Sequence, residues 1–329
     1  MGGENSKFSA KRAREIADTH TSKWTSANEL DWGYGRDRGP DKWWVYYPKA
    51  AGDRQSPINI EPDEAVLDTS LKQVPLQIRD DTDDRLRVRI RNTGHGWVVD
   101  VKDKNAFVTG GPAEKGKYYL EQFHMHWGEE DAIGSEHTLR GDYFAGELHF
   151  VYWNSAYGSF EEASDKPDGL LVTAVWLKLD SSGQTRGMEM LDIVTQCCEQ
   201  IAHKGDSAEL PVAYNTLCLL PEDLHKYWVY SGSLTTPPCF ESVTWLILHE
   251  AMPITPQQLA RCRTLFSHTR NAPCIQFCDD HKGRVLTNYR PVQPLRNRIV
   301  RTVEKTCNTT PHGDGKTDGN VQQKRMFSS

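Results

Sequence analysis

Apolar and polar residues alternate with a period of two through much of the middle of the chain. The runs are Leu86-Arg-Val-Arg-Ile90, Trp97-Val-Val-Asp-Val101, Glu121 to Trp127, Glu147 to Trp153 and Val172 to Leu179. Successive side chains of a strand point to opposite faces, so these runs predict β-strands with one buried face. Two stretches read as helices, Gly187 to His203 and Thr255 to Phe266. In the second, Thr255 is the candidate N-cap. Pro256 follows at the first helical position, where its missing N–H is no loss. The pattern predicts a mainly β (α+β) fold, a large, mostly antiparallel central sheet with peripheral helices.

The texture divides the chain into three parts. Residues 1–28 are a polar extension with a basic cluster. Aromatic density begins at Trp32, Trp43, Trp44, Tyr46 and Tyr47 and persists to about Val303, so 29–304 is expected to be one domain. Residues 305–329 are rich in Gly, Asn, Asp and Thr and are expected to be disordered. Ten Trp and twelve Tyr supply a sizeable core for that middle part. The net charge of -6 excludes nucleic acid as the main partner, because phosphate binding needs a basic face. No apolar run approaches the roughly eighteen residues of a membrane span. The first residues lack the apolar stretch of a secretory signal. The eight cysteines are therefore expected as thiols in a reducing compartment. Cys197-Cys198 and the pair Cys274 and Cys278 do not make two C-x-x-C knuckles, so no structural zinc finger is expected.

The sharpest chemical signal is Gln122-Phe-His-Met-His-Trp127. On a strand, Gln122, His124 and His126 share one face. The segment Glu147-Leu-His-Phe-Val-Tyr-Trp153 repeats the logic, with Glu147, His149 and Val151 on one face and Leu148, Phe150 and Tyr152 on the other. Three neutral imidazoles with an open fourth position describe a catalytic zinc site. A ligating histidine usually donates its second ring N–H to an acceptor, and Gln122 and Glu147 each sit two residues before a histidine, on its face. Spacing alone leaves open whether the two strands are neighbours.

These residues resemble the alpha carbonic anhydrase family, and the resemblance spans roughly residues 31–303. It is carried by Trp32-Gly-Tyr-Gly35, Gln55-Ser-Pro-Ile-Asn-Ile60, Asn92-Thr-Gly-His-Gly-Trp97, Gln122 to Gly128, Ser135-Glu-His-Thr138 and Glu147 to Asn154. It continues through Tyr230 to Pro238, Val243-Thr-Trp245 and Asn288-Tyr-Arg-Pro-Val-Gln-Pro294. The resemblance implies a cone-shaped site on a large twisted sheet, with Zn2+ on His124, His126 and His149. The implied reaction is reversible hydration of carbon dioxide to bicarbonate and a proton by a zinc-bound hydroxide. Thr235 and Glu136 match the family's gating pair. Val151, Val172, Leu234, Val243 and Trp245 match the apolar pocket for carbon dioxide, with Val151 also favoured by strand alternation. Thr236 resembles the residue that meets bicarbonate. His95 stands at the proton-shuttle position, where Tyr34 and Asn92 resemble groups that order water. Asn288 is expected to support the ligands from behind, and His137 to be structural. Val98 is a departure, since many active members carry a polar residue there. Ser56-Pro57 and Pro237-Pro238 match positions that are cis. Secreted members bridge a cysteine at the position of Ala50 to the one at Cys239, and Ala50 has no thiol.

The N-terminus, Met-Gly-Gly-Glu-Asn-Ser-Lys7, fits the pattern for N-myristoylation at Gly2. Lys7, Lys11, Arg12 and Arg14 follow, and a basic patch is a suitable second signal beside one acyl chain. A cytoplasmic monomer with peripheral membrane contact through this end is expected. The rival function is an acatalytic binding protein on the same fold, but such relatives typically lose a metal histidine. No His-Glu-x-x-His helix supports a zinc protease, and no Gly-x-Ser-x-Gly elbow supports a serine hydrolase.

Overall fold

The alternating runs become strands of one sheet. The structure is a computed structural model and describes residues 32–80, 88–101, 104–180, 182, 188–210, 215–272 and 281–305. Gly2, the basic cluster of residues 7–14, and the tail from residue 306 lie outside these. Among the described residues, thirteen strands join in the large sheet. Seven of them position the site: β1 (Arg89–Asn92), β2 (Trp97–Asp100), β3 (Ala113–Trp127), β4 (Gly146–Asn154), β5 (Leu170–Leu179), β6 (Tyr227–Gly232) and β7 (Val243–Leu248). Their order across the sheet is β1-β2-β3-β4-β5-β7-β6. Most pairings are antiparallel, as expected. The β5–β7 pair is parallel, with Val172 opposite Trp245, and the long stretch between them makes the crossover that parallel pairing requires.

The sheet is buried on both faces at its centre, which is why β4 carries no exposed residue. On one face Phe123, Met125, Leu148, Phe150, Leu171 and Val175 form the main core. The rings of Phe123 and Phe150 stack there with centroids 5.4 Å apart. Each large apolar side chain buried this way contributes about 1.5–3 kcal/mol. A one-residue slip of β3 against β4 would turn all of them to the opposite face, so this core fixes the register of the two histidine strands. On the other face Val151, Val172, Trp176, Trp245 and Tyr230 form a second apolar cluster around the histidines.

Both helices are shorter than the sequence suggests. The first spans Met188–Gln196 and passes into a 3-10 turn at Cys197–Glu199; Gly187 lies outside the described residues. The second spans Pro256–Cys262. Thr255 caps it, and Gln258 returns a side-chain bond to the Thr255 backbone. It stops before Phe266 because the following backbone is taken up elsewhere. Phe266 N donates to Ala202 O at 2.7 Å, and Val285 N donates to Leu265 O at 2.8 Å. The Ser56-Pro57 and Pro237-Pro238 bonds are both cis.

Candidate metal centre

Strand register brings the three histidines together. His124 on β3 lies directly opposite His149 on β4, and His126 lies opposite Glu147. Val98 on β2 is opposite His124 from the other side. The register shifts between Leu120 and Gln122, so Glu121 is a bulge residue. The His124 and His149 ring centroids are 5.2 Å apart, and those of His126 and His149 4.6 Å apart.

Each imidazole is held by an acceptor at one ring nitrogen. His124 Nδ1 is 2.8 Å from Gln122 Oε1, His126 Nδ1 is 2.7 Å from the Asn288 carbonyl oxygen, and His149 Nε2 is 2.7 Å from Glu147 Oε1. The acceptors place the ring proton on those nitrogens. Burial, reinforced by the neighbouring rings, pushes His124 well below the usual imidazole range and His126 down to about 3. Burial lowers His149 as well. All three rings are therefore neutral at pH 7, and His124 Nε2, His126 Nε2 and His149 Nδ1 present bare lone pairs.

Those lone pairs converge without a donor among them. His124 Nε2 and His126 Nε2 stand 3.2 Å apart. Glu136 Oε2, buried and without a hydrogen-bond partner, lies 3.3 Å from His126 Nε2 and 3.8 Å from His149 Nδ1. Convergent acceptors of this kind are repulsive unless a cation sits among them. Among the described residues, the three imidazoles form a group whose ligand atoms are all within 4.8 Å of one another, and Glu136 is outside it. Three neutral nitrogens with no fourth protein ligand suit Zn2+ with an open position.

Glu147 is the hub behind the ligands. Its Oε1 accepts from His149 Nε2 and His137 Nδ1, each at 2.7 Å, and its Oε2 accepts from the backbone N–H of Glu136 at 3.0 Å and of His137 at 2.8 Å. Burial alone would raise its pKa. The neighbouring histidines and their N–H groups outweigh that and hold it well below the usual carboxylate range. His137 Nε2 is 2.7 Å from Tyr230 Oη, which bonds Ser56 Oγ at 2.8 Å. His137 thus links the hub to the loop after β6.

Glu136 has the opposite balance. Burial raises it well above the usual carboxylate range, while Thr235 and the Arg290 backbone N–H act against the rise. Arg290 N donates to Glu136 Oε1 at 2.8 Å. The Thr235 loop is held by two serines: Ser56 N donates to Ser233 Oγ, and Ser233 N donates to Ser56 Oγ. Gly232 is required here, because a Cβ would fall 2.1 Å from Ser56 Oγ.

The His95 turn hangs beside this centre. Gly94 and Gly96, on either side of His95, have φ of 89° and 150°, and Asn288 Nδ2 reaches the His95 carbonyl at 3.0 Å. The same amide donates to Met125 O, and Asn288 Oδ1 accepts from Trp127 N. One asparagine therefore ties the turn to the ligand strand, while its carbonyl holds His126. The His95 ring stacks on Trp32 at 3.7 Å. Tyr34 packs edge-on against Trp43, and burial raises its hydroxyl well above the usual phenol range. Asn92 departs from expectation. Its amide nitrogen donates to Ala202 O and Phe266 O and its Oδ1 accepts from Gly94 N, so both its donors and one acceptor position are spent on shaping the turn.

The apolar residues expected beside the metal are adjacent in register. Val151 lies between Gln122 and Val172, and Val172 faces Trp245. The Trp245 ring is 4.8 Å from that of His149. Val243 is buried two residues before Trp245, Leu234 packs on the same cluster, and Thr236 is half-buried in the next turn. Arg290 was not singled out by the sequence reading. It is 2% exposed, donates through its guanidinium to Gln55 Oε1, Ser56 O and Ala50 O, and sits over the Trp43 ring. Cys239 is an unpaired buried thiol, pushed up to about 12 by burial.

A zinc site of this geometry on a large β-sheet is that of a carbonic anhydrase. The model of the eukaryotic-type carbonic anhydrase family matches residues 38–304. Human carbonic anhydrase 7 is 41% identical over 273 residues, covering 82% of this chain and 96% of its own. Mouse carbonic anhydrase 7 is 40% identical over the same coverage, and mouse carbonic anhydrase 1 is 40% identical over 274 residues, 82% of this chain and 97% of its own. The chain belongs to the alpha carbonic anhydrase family.

Proposed function

We propose that this protein catalyses the reversible hydration of carbon dioxide to bicarbonate and a proton, with Zn2+ held by His124 Nε2, His126 Nε2 and His149 Nδ1. The observation that carries the reading is the convergence of three neutral ring nitrogens whose other nitrogens are each tied to an acceptor. Zinc in such a set lowers the pKa of water from 15.7 to about 7, roughly 12 kcal/mol in favour of hydroxide, an effect for which carbonic anhydrase is itself the standard case.

The protein's own residues do the rest. Gln122, Glu147 and the Asn288 carbonyl fix the tautomers, so the ligand nitrogens stay proton-free. Thr235 is the side chain that acts on the buried Glu136 carboxyl, as donor to it. A hydroxyl has one proton. Once given to Glu136, it leaves the Thr235 oxygen able only to accept. Hydroxide, left once a water has given up one proton towards His95, aims its single hydrogen at Thr235 and keeps a lone pair towards the substrate carbon. Val151, Val172, Leu234, Val243 and Trp245 form the wall for apolar carbon dioxide, and Thr236 meets the bicarbonate product. His95 takes the released proton at its imidazole and passes it to buffer. The chain acts in the cytoplasm, as a monomer held to a membrane through acylated Gly2.

The test is a stopped-flow hydration assay beside a metal analysis. His124→Ala is expected to lose zinc and activity together. Activity surviving in zinc-depleted His124→Ala protein would remove the assignment.

A further inference from the structure

The helix Trp43–Tyr46 carries three consecutive large apolar residues into solvent. Trp44 is 42% exposed, Val45 44% and Tyr46 57%. The turn beneath them is firmly built. Trp43 is buried and donates from Nε1 to both Gly33 O and Arg38 O, and Trp44 Nε1 donates to Asp41 O. Presenting the three side chains therefore needs no ordering at the moment of contact. Such a run on a surface marks an interaction site.

The chemistry of the patch selects its partner. Trp and Tyr are the residues enriched at the headgroup level of bilayers, where an apolar ring and a polar edge are both satisfied. Basic residues flank the helix on both sides, with exposed Arg36 and Arg38 and half-buried Lys42 before it and exposed Lys49 after it; exposed Asp37 and Asp41 stand among them, and the balance of these flanks remains positive. The chain reaches this face at Trp32, whose ring packs on Trp43 at 5.2 Å. The preceding residues lead back to Lys7, Lys11, Arg12, Arg14 and Gly2. The exposed aromatics and their basic flanks thus follow closely in sequence on the point where the basic N-terminal stretch joins the described domain.

We propose that the Trp44-Val45-Tyr46 turn is a bilayer-contacting surface of the folded domain, specific for anionic headgroups. It extends the proposed membrane attachment of the N-terminus. It is a separate contact, able to act without the acyl chain and to add to it when both are on one molecule.

The experiment uses the full chain made with and without an N-myristoyltransferase, with intact mass reporting Gly2. Each form is sedimented with phosphatidylcholine vesicles containing or lacking about 30% phosphatidylserine. The unacylated chain is expected to partition measurably to the anionic vesicles. Trp44→Ser with Tyr46→Ser is expected to cut that partition at least about fivefold, with hydration activity unchanged; by comparison, one basic residue at an anionic surface is worth a similar factor. The acylated pair is expected to show the same ratio. An unmodified Gly2 sinks the acylation reading and leaves this test standing on the unacylated protein. Equal partition of parent and double variant overturns the proposal. So does a parent that self-associates in vesicle-free buffer while the double variant is monomeric, because the patch is then a contact between copies of the chain.

Discussion

Glu147→Gln is the most informative change to the ligand frame. The carboxylate accepts four hydrogen bonds, two on each oxygen, and an amide offers only one accepting oxygen. If the amide nitrogen takes the place of Oε1, it faces the N–H groups of His149 and His137. His149 then relieves the clash by moving its proton from Nε2 to Nδ1, the nitrogen meant for zinc. If the amide nitrogen takes the place of Oε2, two buried backbone N–H groups lose their acceptor, at about 1–3 kcal/mol each. The first arrangement damages metal binding, and the second damages the fold. Outer partners of metal ligands, in carbonic anhydrases among others, are worth 10–100-fold in metal affinity, or about 1.4–2.7 kcal/mol. Glu147 is held well below the usual carboxylate range in the folded state. Its contribution is therefore full above an unfolded pKa of about 4.3, and it fades only as pH falls through the folded value. The assay pairs zinc affinity, by chelator competition at pH 7.5, with thermal melting of the metal-free protein. Zinc affinity is expected to weaken at least about tenfold, or the metal-free protein to lose at least about 2 kcal/mol of stability. A Glu147→Gln protein that binds zinc within about twofold of the parent and melts at the parent's temperature would refute the reasoning.

Two further outcomes follow from other parts of the structure. His95→Ala is expected to slow the proton-transfer step by about tenfold in weak buffer, with recovery on adding imidazole and no change in zinc content; a slowed rate that imidazole cannot restore would place the defect elsewhere. His249 lies 3.6 Å from Trp228, its Nε2 is buried without a partner, and burial, aided by Lys226, lowers it to about 4. The unfolded chain, with a pKa near 6.5, then binds more protons between about pH 6.5 and 4, so stability is lost as pH falls through that window. The full shift amounts to about 3.4 kcal/mol, and the partly exposed ring reduces this to about 2 kcal/mol. Urea unfolding of His249→Phe at pH 7 and pH 4.5 is expected to show a shallower acid loss than the parent; equal losses would contradict it.

Much of the site was readable because strand alternation is local. Gln122, His124 and His126 had to share a face once β3 was a strand, and the same held for Glu147, His149 and Val151. Thr255 with Pro256 marked a helix start for an equally local reason. What escaped is set by distant pairing. Nothing near residue 290 announces that its guanidinium is buried under Trp43, because its partners lie at Ala50, Gln55 and Ser56. Asn92 looked available for water, and only the approach of Ala202 and Phe266 commits its amide elsewhere. The helix of residues 256–262 stops early through backbone bonds to Ala202 and Val285, which helix propensity does not contain. The parallel β5–β7 pairing is likewise invisible to alternation, which has the same period in either direction.

The reach of Arg290 also has a meaning for synthesis. Its backbone completes Glu136 from 154 residues downstream, and its side chain joins a stretch about 235 residues upstream. A nascent chain therefore exposes the whole histidine sheet before the piece that closes the gate has left the ribosome. Late, non-local closure of this kind makes for slow assembly and a long window in which half-made strands are open to wrong partners. For this chain, the arrival of Asn288 and Arg290 decides when the molecule becomes an enzyme.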